Sequence, residues 1–136
     1  MESDSLLILL QRATHVTLQV LETHLSGLGL KASEMNVLAN LADGRPRTVS
    51  ELAAAAGVRP TTLTGVLDRL EQKGHLVRET RDGDRRAVQV SLTPAGVTSS
   101  RQVQRAFAAL EERALEAVPP VAVEQARRVL TALAES

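Results

Sequence analysis

The run TVSELAAAAGVRPTTLTGVLDRLEQKGHLVRETRDGDRRAVQVSLTPAG, Thr48 to Gly96, decides how the rest of the chain is read. Thr48 and Glu51 stand in the order T-x-x-E, a capping box. The threonine hydroxyl accepts from a first-turn N–H and the glutamate reaches back to the threonine N–H. Leu52 and four alanines then form a short helix, and Gly57 ends it by taking a left-handed turn. Pro60 suits the first turn of a second helix, where its missing N–H costs nothing. Leu63, Val66, Leu67 and Leu70 follow at i, i+3, i+4 and i+7, a single apolar face. Gly74 marks the second stop. Ala53, Gly57 and Leu63 are small, turning and apolar where a helix-turn-helix needs them. The alternative for this segment alone is a plain αα-corner.

The next residues favour the first reading. Leu76–Thr80 reads as a strand, and Ala87–Leu92 alternates apolar and polar with period 2. Asp82-Gly83 between them is a tight-turn signal. Arg81, Arg85 and Arg86 ring that tip. Charge runs are usually solvated surface, but a hairpin tip entering a minor groove uses arginine. Helix, turn, helix and hairpin wing together imply a domain shaped for duplex DNA.

At Leu67–Arg78 (LDRLEQKGHLVR) and Asp84–Gly96 (DRRAVQVSLTPAG), the chain resembles the MarR/SlyA group of winged-helix transcriptional regulators. The second segment is similar to the group's wing signature, D-x-R followed by an alternating strand and L-T-x-x-G. The resemblance implies a homodimer held by N- and C-terminal helices and a small-molecule pocket where that arm meets the winged helix. A two-fold dimer sets two recognition helices about one DNA turn apart, so a palindromic operator is expected, and the whole chain reads as a repressor that leaves it when an effector of unknown identity binds. The resemblance also carries the group's wing Asp onto Asp84 and its wing Arg onto Arg86, and leaves Arg81 and Arg85 unassigned. A carboxylate aimed at DNA would be repelled, so Asp84 is expected to face the protein and brace the hairpin or the arginine. Gly65 departs from the pattern, since relatives often carry a polar or basic residue there.

Outward from this centre, Leu6–Leu25 reads as a helix broken by Gly27 and Gly29. Ser33 is expected to cap a helix through Leu41. Thr93 caps a long helix with Pro94 in its first turn, expected to reach about Val118. Pro119-Pro120 ends it, and Val121–Leu133 forms the last helix. The expected fold is mainly α (α+β), a winged helix-turn-helix with a dimerisation arm. Its divisions are 1–30 for the N-terminal dimerisation helix, 31–96 for the DNA-binding domain and 97–136 for the C-terminal dimerisation helices. The terminal helices carry more apolar surface than a small winged helix can cover. A monomer with the arm folded back is the alternative to a dimer.

Net charge is zero, but its distribution is uneven. Between Arg45 and Ser91 stand nine Lys/Arg against six Asp/Glu, and the remainder holds seven against ten. The positive excess coincides with the expected DNA face. The candidate DNA-binding residues are Arg59, Thr61, Thr62, Thr64, Arg69, Arg81, Asp84, Arg85 and Arg86. The three threonines occupy the N-terminal half of the second helix, the part that meets base edges.

No nucleophile elbow, P-loop, dinucleotide fingerprint or H-E-x-x-H motif is present, so an enzyme is not expected. No cofactor or metal is expected either, although His15 with Glu22, or His24 across a dimer, would be the residues to hold one. The absence of cysteine excludes disulfides and thiolate sites. The N-terminus has no basic leader and no run spans a membrane, so a cytoplasmic protein is expected. Phe107 is the only aromatic residue, and core is its expected place rather than a stacking platform. Two other uses of the same fold are a protein–protein contact module and a constitutive DNA-binding protein without an effector.

Overall fold

The computed structural model describes residues 4–81 and 84–136, with backbone alone for residues 81 and 84–86. Among the described residues, six α-helices, a short 3-10 turn (Ser26–Leu28) between the first two, and three strands follow in the order α1 (Leu6–His24), α2 (Ala32–Asn40), β1 (Arg47–Thr48), α3 (Val49–Ala56), α4 (Pro60–Gln72), β2 (Leu76–Arg81), β3 (Asp84–Leu92), α5 (Pro94–Ala114) and α6 (Pro120–Ala134). This is a winged helix-turn-helix, mainly helical with one small antiparallel sheet.

Local chemistry sets the central elements. Glu51 N–H donates to Thr48 Oγ1 at 3.1 Å, and Thr48 N–H donates to the Glu51 carboxylate at 2.9 Å, completing the capping box. Gly57 ends α3 at φ +70°, a conformation that costs glycine least. The α3 carbonyl of Ala56 is satisfied from α2 by Asn36 Nδ2 at 3.0 Å. Thr93 caps α5 by accepting from Gly96 N–H at 3.0 Å.

Three local expectations need correction. The cap of α2 is Lys31, not Ser33: the Lys31 N–H is held by the Glu34 carboxylate at 2.8 Å, so the helix begins earlier. The long helix α5 ends at Ala114 rather than near Val118, and a turn precedes Pro119. Arg47–Thr48 forms a third strand unseen in the sequence, because two residues carry no alternation. The sheet order is β1-β3-β2, with Arg47 opposite Val90 and Arg78 opposite Val90 on the other side. The β2–β3 register shifts between Thr80 and Arg81. The expected Asp82-Gly83 turn lies outside the described residues.

The core gathers Met35 and Leu38 of α2, Leu52 of α3, Leu63, Leu67 and Leu70 of α4, Leu76, Val90 and Val103. It therefore sits under the helix-turn-helix and the root of the hairpin. Helix α1 adds only Leu21 to it, and α6 buries nothing.

At the root of the hairpin the chain is drawn tight. His75 N–H donates to the Leu70 carbonyl at the end of α4, and Thr93 N–H donates to the His75 carbonyl at 3.0 Å. Thr93 Oγ1 donates to the Gly74 carbonyl at 2.6 Å. Gly96 lies so close that a methyl group there would overlap the His75 carbonyl oxygen and lie 2.8 Å from its carbon. The end of α4 and the start of α5 are thus joined backbone to backbone.

Candidate nucleic-acid interface

Helix α4 buries Leu63, Val66, Leu67 and Leu70 and leaves Thr61, Thr62 and Thr64 exposed. The buried stripe fixes which face is offered outward. Arg59, exposed at the N-cap, stands at the same end, where the helix dipole is positive and favours anions. The structure brings together Arg59, Thr61, Thr62 and Thr64. Thr64 Oγ1 donates to the Pro60 carbonyl at 3.0 Å, so toward solvent it has its methyl and its acceptor lone pairs to give.

Arg69 points elsewhere. Its Nε lies 3.8 Å from the Glu34 carboxylate and its Nη2 lies 3.5 Å from Ser33 Oγ. The guanidinium turns back toward α2 rather than out along the threonine face. The side chains of Arg81, Asp84, Arg85 and Arg86 lie outside the described residues, so their expected roles rest on the backbone alone: Asp84–Arg86 open β3, with Arg81 opposite Asp84.

Several charges counted toward the positive face are spent within the protein. Arg47 pairs with Asp43 at 3.0 Å, and Arg78 pairs with Asp68 at 2.6 Å and Glu71 at 2.7 Å. Lys73 Nζ donates to both Glu34 oxygens, at 2.9 and 3.0 Å, and to the Gly29 carbonyl at 2.9 Å. Glu34 has no exposed surface. Burial alone would raise its carboxyl pKa, but the Lys31 N–H, Lys73 and Arg69 together hold it below the ordinary glutamate value. Nothing in the local pattern around Glu34 marks it as buried. Its partner lies 39 residues away, and pairing at that separation leaves no periodic trace.

Gly65 has open space around it. A methyl there would find only Arg69 Nη1, at 3.8 Å. Gly65→Ala is therefore expected to raise stability by about 1 kcal/mol through helix propensity. Thermal unfolding of the two chains at equal concentration checks this, and a lower midpoint for the variant would contradict it.

Where α1 crosses α2 and α5, a cavity of about 380 Å³ is lined by Thr14, Thr17, Leu21, Ser33, Asn36 and Phe107, among others. Phe107 is half-buried at this crossing rather than inside the main core. His15 stands on α1 within 3.4 Å of Gln19. Among the described residues, no three His, Cys, Asp or Glu side chains come together as a metal site. No described helix is long and apolar enough to cross a membrane.

Comparison with known proteins agrees with this architecture. Residues 28–87 match the model of the MarR family. The chain is 32% identical over 108 residues to the HTH-type transcriptional repressor MdtR of Bacillus subtilis (strain 168), covering 79% of this chain and 70% of that one. It is 38% identical over 90 residues to the HTH-type transcriptional regulator PecS of Dickeya dadantii (strain 3937), covering 64% of this chain and 54% of PecS. The chain thus spans about half of PecS. Among solved structures, CouR from Rhodococcus jostii RHA1 bound to p-coumaroyl-CoA superposes with a TM-score of 0.83 at 25% identity, covering 96% of this chain and 92% of CouR. NadR in complex with 4-hydroxyphenylacetate shares the fold, with a TM-score of 0.85 at 22% identity over 98% and 95% of the two chains.

Proposed function

Because this chain belongs to the MarR family, whose matched relatives are named transcriptional regulators, we propose that it is a homodimeric repressor binding a palindromic operator. The observation that carries the reading is the exposed threonine face of α4, backed by a fully buried leucine face and set beside a hairpin. A helix so anchored presents its N-terminal half to base edges, where threonine can donate, accept or offer its methyl to thymine.

The ends of the chain support the dimer. Leu6, Leu7, Ile8 and Leu9 on α1 and Val121, Val129 and Leu130 on α6 are exposed, an apolar excess that a second copy would cover. A two-fold axis through this arm sets the two α4 helices about one DNA turn, roughly 34–36 Å, apart. We place the effector in the cavity at the α1–α2–α5 crossing. CouR and NadR carry ligands with phenolic rings, whereas this chain has one benzene ring, that of Phe107, to offer such a ligand.

Genome-wide capture of bound DNA identifies the operator, and titration at several salt concentrations tests the contact. With Arg59, Arg85 and Arg86 of both subunits on phosphates or in grooves, the slope of log affinity against log salt is expected near about −5, from roughly −0.9 per neutralised phosphate. No binding to any captured fragment at low salt would overturn the reading in favour of a protein-contact module.

A further inference from the structure

The geometry points to Arg78 as a positioning residue that fixes the wing at a set angle to the recognition helix α4. This rests on the duplex-binding reading and goes beyond it, since Arg78 would act on DNA only through other residues.

Arg78 lies on β2 and reaches back across the outer surface of α4. Its Nη2 is 2.6 Å from Asp68 Oδ1 and 2.7 Å from Glu71 Oε1. The Arg78 backbone N–H also donates to Glu71 Oε2, at 3.4 Å. Strand β2 is an edge of the sheet, so this N–H points away from β3, and Glu71 satisfies it from the last turns of α4. One carboxylate thereby holds both the backbone and the side chain of the same strand residue. Charge-assisted bonds of this length are the strong kind. Hydrogen bonding to Arg78 also keeps the Glu71 carboxyl below the ordinary carboxylate range.

The position along the strand gives the staple its leverage. At Arg78 the sheet is three strands wide, because Val90 pairs with both Arg78 and Arg47. Past Glu79 the hairpin continues as two strands alone. A two-stranded ribbon is marginally stable by itself, so its direction is set where it is rooted. The root must hold because a winged helix has two elements to seat at once, α4 in one groove and the wing tip in another. A wing free to swing loses contacts at the moment of binding without any loss of fold.

The rival role for Arg78 is direct contact with a phosphate, and the two roles give opposite signs. If Arg78 touches DNA, removing a carboxylate beside it frees the guanidinium and lessens repulsion, so binding tightens. If Arg78 positions the wing, removing the carboxylate loosens the staple and binding weakens.

The test uses the full-length chain and three variants, Glu71→Gln, Asp68→Asn and Arg78→Met. The probe is a duplex enriched from a random pool by the parent chain, titrated at several potassium chloride concentrations. Glu71→Gln and Arg78→Met are expected to bind roughly tenfold more weakly, the size of one good contact. Their salt slopes should be shallower by about 2, one phosphate per wing in a dimer. Asp68→Asn, changing a half-exposed carboxylate on the outer face of α4, carries the least risk to folding and should shift both readouts in the same direction. Far-ultraviolet circular dichroism should show the fold retained in each. Binding by Glu71→Gln and Asp68→Asn as tight as the parent or tighter, with unchanged slope, would overturn the positioning role while leaving the duplex-binding reading intact. A parent chain that enriches no duplex would overturn both.

Discussion

Gly96→Ala is expected to destabilise the protein by about 3 kcal/mol, although alanine is the better helix former by roughly 1 kcal/mol. The added methyl would overlap the His75 carbonyl, and that carbonyl cannot step aside. It accepts from Thr93 N–H, while Thr93 Oγ1 is committed to Gly74 and to the cap of α5. Relief requires separating α5 from the end of α4, which breaks a cap and exposes the leucines beneath. At roughly 4 °C per kcal/mol for a chain of this size, the melting midpoint should fall by about 12 °C. Gly65→Ala in the same experiment serves as the control, since the same chemical change there meets open space. A Gly96→Ala variant within about 1 kcal/mol of the parent would show that the junction yields more readily than its hydrogen bonds imply.

The second large effect is at Glu34. Replacing it with alanine leaves the Lys31 N–H without its acceptor, removes the partner of Lys73, and opens a hole in a site with no exposed surface. Breaking a buried pair commonly costs 3–5 kcal/mol, and since Lys73 is partly exposed and can turn to water, about 2–3 kcal/mol is expected here. The pH dependence has a definite direction. The folded carboxyl is held below its unfolded value, so its stabilisation is complete above the ordinary glutamate range and is lost as pH falls through the folded-state value. Glu34→Gln should remove that part of the acid sensitivity. Chemical denaturation of parent and variant across the acid range measures it. Parallel curves for the two would sink the assignment.

These two residues also show where sequence reading stops. The capping box at Thr48, the stop at Gly57, the proline at 60 and the cap at Thr93 are each written within four residues, and each forms as its local chemistry demands. The apolar stripe of α4 likewise told which threonines would face outward, because a helix repeats every 3.6 residues. Glu34 and Arg78 carry no such signal. The side chains that pair with them come from other elements, and a charged residue in a helix reads as surface until something 39 residues away covers it. Gly96 was visible as part of a motif, but its reason, a carbonyl 21 positions earlier, was not. The Arg78 charge was counted toward DNA for the same reason: composition records that a cation is present and not what neutralises it.

The lone ring at the α1–α2–α5 crossing has a practical consequence. A chain without tryptophan or tyrosine is nearly dark in near-ultraviolet absorption and in intrinsic fluorescence. Its unfolding must be followed by backbone signals, and its concentration cannot be read at the usual wavelength. That same silence makes Phe107 a clean place for a reporter. A single indole introduced there would be the only emitter in each chain. It would sit where α1 crosses α2 and α5, beside the cavity that Phe107 helps to line. Changes in its colour and quenching would then report events at that crossing, with no background to subtract.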